Sequence, residues 1–240
     1  SGISYLSYLL KRYVFHESGT LVSGIIGGLY SSTATISVLA RKSRKASEQE
    51  ATDYVAAMLL AISMMFLRFM ILILIFSREI FLSIYPYLLT MAVVAAIVAW
   101  FIHSRQKRSN DQPVEEEEDD SSNPLEFKVA LIFAVLFVIF TFLTHYTLVY
   151  AGTGGLNLLS FVSGFSDITP FILNLLQNTG SVAALIITAC SMQAIISNIM
   201  VNMFYALFFA GKGSKLRPWI LGGFGVVIAC NLVLLLFFYI

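Results

Sequence analysis

The chain has 240 residues, 58% of them hydrophobic and 12% charged, against roughly 25% charged in an ordinary soluble domain. A soluble core of that size cannot hide such an excess, because much of its surface would still face water and need polar cover. A formal net charge of +1 excludes the basic surface that a nucleic-acid partner requires, and the two cysteines, Cys190 and Cys230, lie inside apolar runs and read as small buried hydrophobes.

Apolar runs of the length that crosses about 30 Å of hydrocarbon follow one another along the chain. A short one covers 1–15, with Lys11 and Arg12 near its end; it reads as the end of a longer helix that starts upstream, or as an interfacial helix. Full-length runs follow at 20–40, 53–77, 80–103, 127–150, 156–178, 181–210 and 216–240. Helix breakers separate them: Glu17-Ser18-Gly19, the basic stretch 41–45, Ser77-Arg78-Glu79, Gly152 to Gly155, Asn178-Thr179-Gly180 and Gly211 to Ser214. No ten-residue units alternate with period two, so a transmembrane barrel is not expected. Residues 104–126 carry six consecutive acids, Glu115 to Asp120, and nothing to bury, which predicts a disordered linker in water.

Orientation follows the Lys/Arg bias. With every run crossing, Arg41, Lys42, Arg44 and Lys45 share one side with Arg105, Lys107 and Arg108. The other side holds Lys11, Arg12, Arg78, Lys212, Lys215 and Arg217. The narrow difference places the linker and both termini in the cytoplasm.

The sequence also carries an internal echo. Gly28-Leu29-Tyr30-Ser31-Ser32-Thr33 aligns with Gly164-Phe165-Ser166-Asp167-Ile168-Thr169, at an offset of 167 − 31 = 136, which also carries Gly19 onto Gly155. Tyr85-Pro86-Tyr87 aligns with Arg217-Pro218-Trp219, at 218 − 86 = 132. The predicted fold is therefore all-α and integral to a membrane. It has about eight transmembrane helices as two four-helix repeats, 1–103 and 127–240, joined by the linker 104–126, with a broken helix in each half. Four crossings per half make the repeats parallel. One re-entrant segment per half makes the count odd and the repeats inverted, and the sequence leaves both open.

Two constellations stand out. In the first, Gly27 and Gly28 precede Ser31, Ser32, Thr33 and Thr35. Such a run is either a close helix contact with its hydroxyls bonded back to their own helix, or a broken helix lining a wet site. In its counterpart, Pro170 suits the first turn of a helix and Thr169 or Asp167 suits the N-cap, which predicts a break at Gly164 to Asp167. A carboxylate such as Asp167 costs about 2.5–3.5 kcal/mol at a helix centre in a membrane, so it either caps the restarted helix or has a use. The second constellation is Arg68, a basic residue deep in an apolar run, whose counterpart lies near Asn202. Asn198 and Asn202 share a helix face, with Gln193 near the same stripe. Arg68 either pairs with Asp167 or meets a ligand directly. His145 reads as a packed hydrogen-bond donor near the interface. No phosphate loop, metal spacing or histidine beside a nucleophile is visible.

The run Ser1-Gly2-Ile3-Ser4-Tyr5, then Gly27-Gly28-Leu29-Tyr30-Ser31-Ser32-Thr33-Ala34 ending in Leu39-Ala40-Arg41, resembles a prokaryotic membrane domain of unknown function, family 4010. Ser163-Gly164-Phe165-Ser166-Asp167 agrees in outline. The resemblance implies the C-terminal membrane domain of a chain that carries an MgtC/SapB-type domain upstream, a prokaryotic inner membrane, and a loose tie to magnesium. It implies no activity.

The expected function is a transporter or channel for a small solute, with a site between the two motifs. Ser31, Ser32, Thr33, Asp167 and Thr169 would line it, and Arg68, Asn198 and Asn202 would form a second wall. Gly27, Gly28, Gly164 and Pro170 would make the helix breaks. A lone carboxylate among neutral oxygens suits an inorganic cation, divalent or proton-coupled, with Asp167 as the metal ligand if there is one; an unpaired Arg68 would favour an anion or amino acid. The competing reading is a non-transporting module that assembles with a partner membrane protein. A hydrolase using Ser31 or Ser32 has only generic support, so neither an enzyme nor a cofactor is expected. Candidate partners are the lipid bilayer, the upstream domain and a second copy of the chain.

Overall fold

The computed structural model describes residues 19–44, 48–105, 124–177, 182–211, 214 and 216–239. The run 1–15 and nearly all of the acidic linker lie outside the described residues. Those residues form helices and no strand: α1 Thr20–Lys42, α2 Glu48–Phe76, α3 Arg78–Ser104, α4 Pro124–Ser163, α5 Ile168–Gln177, α6 Ala184–Ala210 and α7 Arg217–Tyr239.

The helix ends obey local chemistry. Arg41 and Lys42 sit in the last turn of α1, where cations favour the carbonyl end of the dipole. Ser77 caps α3 by accepting the N–H of Ile80 at 3.4 Å, and Glu79 adds an acid to that first turn. Gly152 interrupts α4 at φ 57°, ψ −147°, a backbone region that glycine enters without a Cβ penalty.

Five helices are long and apolar enough to cross a membrane: Thr20–Lys42, Thr52–Phe76, Arg78–Ser104, Ala184–Ala210 and Arg217–Phe237. The side chains they leave outside fit that solvent. Ile75 is 73% exposed and Phe237 77%, costly in water and free of cost against lipid tails. These features are consistent with an integral membrane protein. The expected span 156–178 is not one helix. It is a pair of short apolar helices, Gly154–Ser163 and Ile168–Gln177, because the chain leaves helical geometry between them.

Two compact units form. The first takes the described residues of 1–69, 88–118 and 202–230, the second those of 70–87, 119–201 and 231–240. In the first, Met58, Leu59, Ile62, Met65, Phe66 and Phe69 of α2 are fully or almost fully buried. The α2–α3 pair is pinned by Ser63 Oγ, which donates to the Ala92 carbonyl at 2.8 Å, and by Asp53 Oδ1, 2.6 Å from His103 Nδ1. In the second, Phe140 of α4 packs on Phe171 of α5 at 5.7 Å between ring centres. There the Tyr87 hydroxyl also donates to Asn231 Oδ1, with both residues buried.

Polar pairs of this kind contribute about 0.6 kcal/mol each on average within a membrane, and up to about 1.7. Tyr87→Phe is expected to lower the thermal unfolding midpoint in detergent by that order. Tyr85→Phe, whose parent ring is exposed, should leave the midpoint unchanged.

Candidate functional site

The first broken helix is α1. Ser31 has extended backbone angles, φ −156° and ψ 109°, so the i→i+4 ladder stops there. Ser31 also caps the second limb: its Oγ accepts the Ala34 N–H at 3.3 Å, the third position of the restarted helix. Thr35 Oγ1 donates to the Ser31 carbonyl at 2.8 Å, and Ser37 Oγ to the Thr33 carbonyl at 2.8 Å. On the other side of the break, Arg68 Nη1 donates to the Tyr30 carbonyl at 2.7 Å. A cation thus sits on the negative end of the first half-helix, where the dipole favours it.

The break is a reversal. A Cβ added at Gly27 would lie 2.8 Å from Thr35 Cγ2, yet residues eight apart in a straight helix are separated by about 12 Å. The register against α2 gives the same result. Gly24 meets Ala57 and Gly28 meets Ala61, so the first limb runs parallel to α2. Continued straight, Lys42 would end about 20 Å above Ala61, while Glu48 lies about 20 Å below it. The six steps from Lys42 to Glu48 span at most about 20 Å, half the distance needed. The chain therefore folds back at Ser31.

The second broken helix repeats this geometry in the other unit. Residues 154–163 run up, the chain leaves helix at 164–167, and α5 restarts. Asp167 is the cap, its Oδ1 accepting the Thr169 N–H at 2.9 Å. Asn198 Nδ2 donates to the carbonyls of Gly164 at 3.2 Å and Ser166 at 3.5 Å. The first limb is again parallel to the next long helix: Cys190 Sγ lies 3.5 Å from Asn157 Oδ1, Ser160 Oγ 2.8 Å from Gln193 Oε1, and Ser197 Oγ 2.6 Å from the Phe161 carbonyl. Gly164 meets Ser197, and a Cβ there would also lie 2.7 Å from the Asn198 nitrogen. A straight continuation would put Gln177 and Ala184 about 40 Å apart, and their seven connecting steps reach at most about 25 Å. This chain too folds back, and Asn174 Nδ2 donates to Thr141 Oγ1 of α4 at 2.8 Å.

The caps and the glycine crossings of the two hairpins correspond at the offset of 136 that aligns the motifs. Cap Ser31 goes to cap Asp167. The crossing of Gly28 with Ala61 goes to that of Gly164 with Ser197, and the pair Gly24–Ala57 goes to Ser160–Gln193. The Tyr30 carbonyl goes to the Ser166 carbonyl, but their donors, Arg68 and Asn198, are 130 residues apart and so depart from the offset.

The predicted residues divide between the units. Ser31, Ser32, Thr33, Arg68 and Asn202 fall in the first, with Ser32 and Asn202 buried. Asp167, Thr169 and Asn198 fall in the second, where Asp167 is exposed and Pro170 is buried in the first turn of α5. Among the described residues, no three His, Cys, Asp or Glu side chains gather as a metal site. His145 is exposed, with its ring edge-on to Tyr146 at 6.0 Å. Sequence reasoning missed Asn157 and Ser160, the polar rungs of the second hairpin. Their i, i+3 spacing beside Cys190, Gln193 and Ser197 was the available signal. It also missed Thr188 and Ser191, both fully buried and without a hydrogen-bond partner among the described residues.

The family described as "Domain of unknown function (DUF4010)" matches residues 1–210 of this chain. An uncharacterized protein of Aquifex aeolicus (strain VF5) is 25% identical over 224 residues, covering 92% of this chain and 96% of that protein. No solved structure matches.

The close crossings give a direct test. A methyl group at residue 28 would lie 2.5 Å from the Ala61 Cα, whereas at Gly222 nothing stands within 4 Å. Gly28→Ala and Gly164→Ala are expected to destabilise the protein by about 1–3 kcal/mol, the cost of overpacking. Gly222→Ala should do so far less, read as thermal unfolding in one detergent.

Proposed function

We propose, on the premise that this chain belongs to the DUF4010 family, that it is a membrane transporter or channel for a small solute, with inorganic cations first among the candidates. The observation that carries the reading is the pair of helical hairpins reversed at a capped break. Each limb is about ten residues, roughly 15 Å, half the hydrocarbon thickness. Non-helical backbone at that depth is tolerated where it faces protein or a water-filled cavity. Half-helix ends placed there are the usual ligand groups of transporters built from repeats. Two four-element repeats, each containing one hairpin, fit the offset that relates them.

The groups at the two tips differ in charge. At the first, the cap is neutral Ser31, and Arg68 supplies a cation. At the second, the cap is the carboxylate of Asp167 and the donor is the neutral amide of Asn198. The second tip offers a carboxylate beside hydroxyl and carbonyl oxygens, the ligand set of hard cations. Arg68 is engaged with the Tyr30 carbonyl, which supports a capping role for it over recognition of an anion. The implied MgtC/SapB-type neighbour makes magnesium the first cation to try, and a prokaryotic inner membrane the expected location. No covalent chemistry is proposed.

Flux should be measured in liposomes over a panel of mono- and divalent cations, with anions as comparison. The parent protein should move at least one cation. Asn caps a helix as well as Asp does, so Asp167→Asn should fold with unchanged thermal stability and lose most of that flux. A parent that moves no solute, or a variant as active as the parent, would overturn the reading or remove Asp167 from it.

A further inference from the structure

The far end of the first hairpin carries chemistry that neither break uses. The returning limb of α1 finishes in Arg41, Lys42, Ser43 and Arg44, and residues 202–210 of α6 belong to the same compact unit. Arg44 donates from Nη2 to the Phe208 carbonyl at 3.3 Å and from Nε to the Phe209 carbonyl. Carbonyls in the last turn of a helix have no partner inside it and form the negative end of the dipole. Arg44 therefore serves as a C-terminal cap for α6. The Arg41 guanidinium lies 4.4 Å over the Phe209 ring. Two full positive charges thus meet on one short stretch of α6.

The half charge of a helix terminus does not balance them. Among the described residues neither arginine has a carboxylate partner, and both are exposed. Their donors are not used up either. A guanidinium presents five N–H groups in a planar fork. Arg44 uses two of them on carbonyls. Arg41 meets Phe209 over the ring face and makes no hydrogen bond among the described residues. Open guanidinium edges match phosphate oxygens two at a time.

We propose that Arg41 and Arg44 bind the phosphate of an anionic phospholipid whose acyl chains lie along Phe204 and Phe208. Depth favours a lipid. Helix α6 has 27 residues, about 40 Å, and is longer than the roughly 30 Å of hydrocarbon. A helix of that length reaches the headgroup layer, and the gathered charges mark an end that does. The surface beside the charges favours a lipid too. Phe204 and Phe208 stand one turn apart, stacked at 6.2 Å between ring centres, and are 61% and 63% exposed. Apolar rings running up to a cationic helix end fit a headgroup together with its tails, and give nothing to a free anion. The site is independent of the transporter reading. Its occupant would bridge the returning limb of α1 and the end of α6.

The test uses the whole chain in detergent, titrated with phosphatidylglycerol or phosphatidylcholine and read by native mass spectrometry, with sodium phosphate as competitor. The parent should bind phosphatidylglycerol about tenfold more tightly than phosphatidylcholine. Arg41→Gln should weaken phosphatidylglycerol by about tenfold, the loss of one charge-assisted hydrogen bond. Arg78→Gln removes the same charge elsewhere and should bind as the parent does. Arg44→Gln should lose both the lipid and thermal stability, because it also uncaps α6. If that variant does not accumulate, Arg41→Gln decides alone, since it leaves the cap in place. Equal binding of the two lipids by the parent would overturn the proposal, as would phosphatidylglycerol binding by Arg41→Gln at the parent's level. Displacement of the lipid by phosphate at equal concentration would also overturn it and mark a site for a free anion.

Discussion

A helix that stops inside hydrocarbon strands peptide N–H and C=O groups, and each one left bare costs several kcal/mol. The chemistry at both breaks satisfies such groups. At the first, Ser31 takes the stranded Ala34 N–H and Arg68 takes the stranded Tyr30 carbonyl. At the second, Asp167 takes the Thr169 N–H while Asn198 serves the carbonyls of Gly164 and Ser166. One cap for the rising N–H groups and one donor from the neighbouring long helix make a reversal tolerable. The expense of an arginine and an aspartate in apolar runs is explained first by this duty.

The donors reach the tips because glycine brings the backbones together. Gly28 lies against Ala61 and Gly164 against Ser197 with no room for a methyl group. The two crossings are held differently elsewhere. The first hairpin meets α2 through small residues, Gly24 on Ala57, where close approach gains dispersion contacts. The second meets α6 through Asn157, Ser160, Gln193 and Ser197, where hydrogen bonds replace some of that packing. Lipid tails compete with neither, because they offer no polar partner and cannot enter a gap of that size.

Much of this was legible in the residues. Hydrophobic runs placed the long helices α2, α3, α6 and α7 closely, because twenty apolar residues have few other uses. Pro170 after Asp167 marked the second break, since proline fits a first turn and not a helix interior. The offset of 136, read from a handful of residues around Ser31 and Asp167, also relates the caps and the glycine crossings of the two hairpins. The direction of the chain after each break was not legible. A run such as 20–42 has the length and hydropathy of a simple crossing whether it is straight or folded in two. Only the short connectors, set against the register of Gly24 and Gly28 along α2, separate the cases. The polar rungs at Asn157 and Ser160 were hidden for a related reason: hydroxyls and amides in an apolar run look alike whether they bond to their own helix or to a neighbour.

The unequal caps also have an electrical side. On the transporter reading, a limb of about 15 Å would hold Asp167 near half depth, where a unit charge feels about half of the transmembrane potential, roughly 1 kcal/mol per 100 mV. Arg68, fixed to the carbonyl end at the other tip, carries the opposite sign at similar depth along its own limb. Any rocking of either tip toward its mouth would therefore move charge through the field. On that reading, the membrane potential would then act directly on the balance between positions of the tips.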